Sequence, residues 1–188
     1  IFLADVSGHG VASALLAGRI KAFFDENFRR THRPRLFLEQ LNQVLIDLGE
    51  HYHIATAVCL HIDVVETTMV YANAGHRTLY WLDTESDKYT LLPATGPALG
   101  MFDEFDITEV THGFLPGRNR LVSYTDGLVE FKTRSDGWTT EDDFRKELLL
   151  PKRSMPLTEY FEELLEGSRQ RTRSGEWDDD VSLLITDF

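Results

Sequence analysis

The sequence has one cysteine, Cys59, in 188 residues, so no internal disulfide can form, which fits a reducing compartment. It also has no apolar run approaching the roughly 18 to 20 residues of a spanning helix, and its start lacks the basic-then-apolar layout of a secretory leader. No membrane span and a cytoplasmic location are the expectations. Basic side chains are the minority, 19 against 31 acidic, and a net charge of -12 repels a phosphate backbone, which argues against nucleic-acid binding. The seven histidines do not cluster at ligand spacing: His51 and His53 flank Tyr52 and the others are scattered, as surface or packing residues are. A starting Met is absent too. The chain opens at Ile1 inside an apolar run, and the expectation is an N-terminally truncated fragment of a longer protein.

What is present reads as one globular domain, 1–188, with 42% hydrophobic and 27% charged residues. Helical spacing of Leu15, Leu16, Ile20, Phe23, Phe24 and Phe28 predicts a helix from Val11 to Phe28, with Pro34 as a breaker. A second helix carries Phe37, Leu41, Val44, Leu45 and Leu48 and ends near Gly49. Between Ile54 and Leu92, short β-branched and aromatic runs (54–62, 67–73, 79–82, 89–92) predict meandering antiparallel strands joined by hairpin-length connections. Further strands are expected at Ile107 to Thr111, Leu121 to Thr125 and Val181 to Ile185. Thr140 with Asp143 predicts a capping box, and Ser154 with Pro156 a later helix start. Helices flanking a strand-rich middle imply α+β packing, with helices covering antiparallel sheets.

Three acidic corners share one architecture. Asp5 ends an apolar run and opens onto Gly8, Gly10 and the first helix; alone it reads equally as a turn residue. Asp126-Gly127 lies between apolar runs and, alone, reads as a hairpin. Asp178-Asp179-Asp180 precedes an apolar strand and, alone, reads equally as a solvated turn. Each puts a carboxylate at a strand terminus, so three could converge, and oxygen donors without a His/Cys set suit Mg²⁺ or Mn²⁺ rather than zinc.

Five segments in order, Asp5-Val6-Ser7-Gly8-His9-Gly10, Asn73-Ala74-Gly75-His76, Gly96-Pro97-Ala98-Leu99-Gly100, Tyr124 to Glu130 and Asp179 to Leu184, resemble the SpoIIE-like bacterial branch of the metal-dependent (type 2C) protein phosphatases, nearly end to end. The resemblance implies a four-layer αββα sandwich of two antiparallel sheets flanked by helix pairs. It implies two ions, Mn²⁺ or Mg²⁺, with Asp5 bridging them, the Val6 carbonyl on one, and Asp126 and Asp179 on the other. Asp180 is then a neighbour and Asp178 solvated, while Asn73 to His76 and Gly96 to Gly100 are structural loops. Arg77-Thr78 departs from the family, many members of which carry proline after the histidine.

The implied activity is hydrolysis of a phosphoserine or phosphothreonine by a metal-activated water. Cys59 and Ser7 are not nucleophiles in this scheme. The general acid stays unassigned: animal members place a histidine where Ser7 stands, and His9 is displaced by two. A further family aspartate lies upstream of Asp5, so this fragment is expected to bind one metal weakly or none. Partners implied are a phosphorylated anti-sigma-factor antagonist and an upstream sensory or receiver domain, with homodimer formation left open. The helix pair Val11 to Gly49 is either a regulatory switch or a simple sheet cover. Arginines 29, 30, 33 and 35 and 169, 171 and 173 either attract an anionic phosphoprotein or are ordinary loop charges. Two other readings remain: a catalytically weak phosphatase-like module that binds a partner, and a hydrolase of small phosphate esters.

Overall fold

A computed structural model describes residues 1–8, 10–49, 54–133 and 137–188. His9, the His51-Tyr52-His53 triplet and the middle of the Lys132–Trp138 loop lie outside the described residues. The chain is α+β, with two four-stranded antiparallel sheets and four helices among the described residues, and it divides into two compact units. Residues 1–76 and 93–114 form the first unit, and 77–92 and 115–188 the second.

The first unit holds β1 (Phe2–Val6), α1 (Val11–Asn27), α2 (Pro34–Ile46), β2 (Ala55–Asp63), β3 (Thr68–Ala74) and a late strand, Val110–Gly113. The sheet order is β1, β2, β3, then that late strand. Alternation along β1 and β2 turns Phe2, Ala4, Val6, Ala55 and Ala57 toward Leu16 and Ile20 of α1 and Phe37, Leu38, Leu41 and Leu45 of α2. Alanines at this face let the helices sit close, and Phe2, Phe23, Phe24 and Phe37 fill the edge with ring centroids 5.2–6.0 Å apart.

The second unit holds β4 (Leu79–Asp83), β5 (Tyr89–Leu92), β7 (Asn119–Tyr124), α3 (Glu141–Phe144, running on as a π-helical turn, Arg145–Leu149), α4 (Leu157–Arg169) and β8 (Leu183–Asp187), the late strand of the first unit being β6. Its sheet order is β5, β4, β7, β8. Tyr80, Leu82, Val122 and Tyr124 pack on Phe144, Leu148, Leu149, Tyr160 and Leu164. Arg120, 2% exposed, grips Asp187 on β8 with bonds of 2.6 and 2.7 Å and stacks on Tyr160.

Several expectations change. Leu15 is 71% exposed, because it lies about 100° round the helix from Leu16 and off the buried stripe. Pro34 opens α2 at its first turn instead of merely breaking the chain, since that position needs no backbone donor. Ala74 to Arg77 is no hairpin: β3 pairs with β2 and β6, and β4 with β5 and β7. Strand β6 starts three residues late because Ile107 is buried in the first core and Thr108 N bonds Thr95 O at 3.2 Å. Pro156, not Ser154, stands at the start of α4, without a side-chain cap.

Candidate active site

In the first unit, Asp5 and Val6 are the last residues of β1, in register with Thr56 and Ala55. Since Ala4 and Val6 face the helices, Asp5 lies on the opposite face, with Thr56. Pairing persists one residue further: Ser7 N and Oγ both donate to Ile54 O, at 3.0 and 2.8 Å. Gly10 then starts α1 at φ 86 and ψ -155, a conformation open only to glycine, and its carbonyl accepts the first helical bond from Ala14.

The Asn73–His76 segment stands behind this strand end. Asn73 Oδ1 accepts from His76 N at 2.8 Å, Asn73 N donates to Thr95 Oγ1 at 3.0 Å, and His76 Nδ1 lies 3.0 Å from Thr56 Oγ1. Leu99 exchanges two backbone bonds with Ala55, of 3.1 and 2.8 Å. Both segments thus buttress the two residues opposite Asp5 and Val6, a role in keeping with structural loops.

In the second unit, Asp126 follows β7 in a single 3-10 turn, Asp126–Leu128, and not in a hairpin. Thr125 decides this. Its N donates to Ser182 O at 3.0 Å, its Oγ1 accepts from Ser182 N at 2.8 Å, and it bonds Asp180 O at 3.2 Å, so the chain end is fastened to the segment before β8. A β-carbon on Gly127 would lie 2.4 Å from Asp180 O and 3.1 Å from Asp179 O, so only glycine permits this approach. The structure therefore brings the Asp126 and Asp179 segments together. Each carboxylate is oriented by the amide after it, Gly127 N on Asp126 Oδ1 at 3.0 Å and Asp180 N on Asp179 Oδ1 at 2.8 Å. Asp178 is exposed and accepts from Lys132 N at 3.4 Å.

Arg77 was not among the predicted site residues, although its departure from the family pattern was a signal. Its side chain, 23% exposed, pairs with Glu130 and, at 3.3 Å, with Glu141. Burial works against its charge, but Glu130, Glu141 and Asp126 outweigh this and raise its pKa above the ordinary arginine value. Tyr80 donates to Glu141 Oε1 at 3.0 Å, and burial followed by that carboxylate pushes its hydroxyl up to about 12.

The turn that carries Asp126 is packed against the carbonyls of Asp179 and Asp180, and carboxylate and carbonyl oxygens are the kind of donor a hard cation takes. Among the described residues, no group of three or more His, Cys, Asp or Glu side chains is gathered closely enough to hold a metal ion. Among them too, no helix is long and apolar enough to cross a membrane.

The whole chain, residues 1–188, matches the family model described as Stage II sporulation protein E (SpoIIE), and the chain belongs to that family. Among curated relatives, it is 27% identical to the phosphoserine phosphatase RsbP of Bacillus subtilis over 191 residues, covering 100% of this chain and 45% of RsbP. The chain thus spans about half the length of this relative. Among solved structures, it resembles the SiaA-PP2C domain of Pseudomonas aeruginosa, with a TM-score of 0.86 at 20% identity, covering 100% of this chain and 74% of that one. It also resembles RsbX in complex with magnesium, with a TM-score of 0.69 at 18% identity, covering 98% of this chain and 78% of that one. These likenesses give the fold as that of the type 2C phosphatase domains.

Proposed function

We propose that this chain is the phosphatase domain of a metal-dependent protein serine/threonine phosphatase. The observation that carries the reading is the packing of the Asp126 turn against the segment of Asp179 and Asp180, enforced by Thr125 and Gly127. Family membership and the phosphoserine phosphatase activity named for RsbP support it. In this reading Asp5, Val6 through its carbonyl, Asp126 and Asp179 would hold the metal. When bound, two divalent cations, Mn²⁺ or Mg²⁺, supply an activated water and neutralise phosphoryl charge. The chain's own share is orientation: the amides of Gly127 and Asp180 aim the two carboxylates, and the buttressed end of β1 aims Asp5.

The substrate is a phosphoserine or phosphothreonine on a protein of the anti-sigma-factor antagonist type, and the protein works in the cytoplasm under a regulatory domain. A catalytically weak partner-binding module is the second reading, favoured by the lack of a three-carboxylate group among the described residues. Phosphate release from such phosphoproteins, measured with Mn²⁺ in the full-length protein, tests the two. Activity should fall at least 100-fold, about the loss of a key electrostatic contact, in Asp5→Asn and Asp126→Asn. Equal activity in all three proteins would exclude the phosphatase reading.

A further inference from the structure

Arg77 occupies a defined place in the second unit. One nitrogen of its guanidinium pairs with Glu130 and another with Glu141 Oε2. Glu130 closes the turn that carries Asp126, since its amide donates to Asp126 O at 2.8 Å. Glu141 is the first residue of α3 and is fixed by Tyr80. One planar fork thus ties the Asp126 turn to the start of a helix, which a lysine, with a point charge, would do poorly. Without the fork, the Asp126 turn would lose its tie through Glu130 to the start of α3.

We propose that Arg77 is a positioning residue for Asp126, acting through Glu130. The inference rests on the reading of Asp126 as a metal ligand and extends it to a residue outside the family motifs. The alternative role, a plain positive charge near a cation site, has the opposite sign. A bare charge repels Mn²⁺, so its removal would tighten binding, whereas loss of a tether weakens binding because the cation must then order the turn itself.

Mn²⁺ titration calorimetry on the full-length protein separates them. Arg77→Gln and Glu130→Gln should each weaken binding about tenfold, and the double variant should be no weaker than either alone, as expected of one coupled unit. Arg77→Lys should recover only part of the loss. Arg118→Met, which breaks the ion pair with Asp83 at the far end of β7, should lower the melting temperature and leave Mn²⁺ binding unchanged. Tighter binding in Arg77→Gln, independent effects of the two single substitutions, or an equal loss in Arg118→Met would each overturn the proposal. Should Arg77→Gln fail to fold, Glu130→Gln and Arg77→Lys decide, unchanged binding in both overturning it. A wild-type protein that binds no Mn²⁺ overturns the metal reading itself, and this inference with it; wild-type binding with unaltered variants overturns the tether alone.

Discussion

Three residues show how the local environment sets chemistry. A methyl group at position 127 would press into Asp180 O, a backbone atom that cannot swing aside. Gly127→Ala should therefore cost roughly 1–3 kcal/mol, the usual range for overpacking, and abolish Mn²⁺-dependent activity; thermal melts and phosphate release read the two effects. Cys59, pushed up to about 12 by burial, stays a thiol at pH 8, so a thiol reagent should modify it slowly until the protein is denatured. Tyr80 titrates at about 12 in the fold against 10.0 when free. Its contribution is complete below pH 10 and is lost as the pH climbs from there through 12, so melting temperature should drop across that window. Tyr80→Phe should lessen the drop, to which the buried hydroxyls of Tyr124 and Tyr160, also pushed up by burial, contribute, and tyrosinate absorbance would locate it. The Asp126 and Asp179 segments, which the structure brings together, stood out in the sequence because each sets acidic residues at the end of an apolar run. Arg77 was not, because its meaning depends on Glu130 and Glu141, which are 53 and 64 residues away.

Capping chemistry at the scale of elements was readable from neighbouring residues. Thr140 and Asp143 form the predicted reciprocal cap, with Asp143 N on Thr140 Oγ1 at 3.2 Å and Thr140 N on Asp143 Oδ2 at 3.0 Å. Thr140→Ala should cost about 1 kcal/mol, measurable by urea unfolding. The Asp126-Gly127 hairpin failed for a reason invisible locally: Thr125 bonds a segment more than fifty residues on, and that tie overrides the turn signal. Likewise the buried Asn42 of α2 holds the loop after Leu99, accepting from Gly100 N at 2.8 Å and donating to Phe102 O at 3.1 Å. Periodicity marks its neighbours Leu41 and Leu45 as core but says nothing of an amide between them. Asn42→Ala should destabilise by about 1 kcal/mol, since it removes both bonds of a buried side-chain amide to the Gly100 amide and the Phe102 carbonyl.

Across the whole molecule, the sequence correctly conveyed two antiparallel sheets with helices, yet not their discontinuity. Each unit is assembled from separated stretches, with breaks after residues 76, 92 and 114. Pairing partners so far apart leave no periodic trace. The sheet order adds one consequence. β1 and β8 each end their sheets, so Asp5 sits in one border strand and Asp179 just ahead of another. A border strand is laddered on one side only and is the first to peel away. A cation gripping such a carboxylate would act as a rivet at the strand's free end. Loading with Mn²⁺ should then slow proteolytic nicking between Ser174 and Ser182 and retard amide exchange along Leu183–Asp187, turning metal occupancy into something a protease can read.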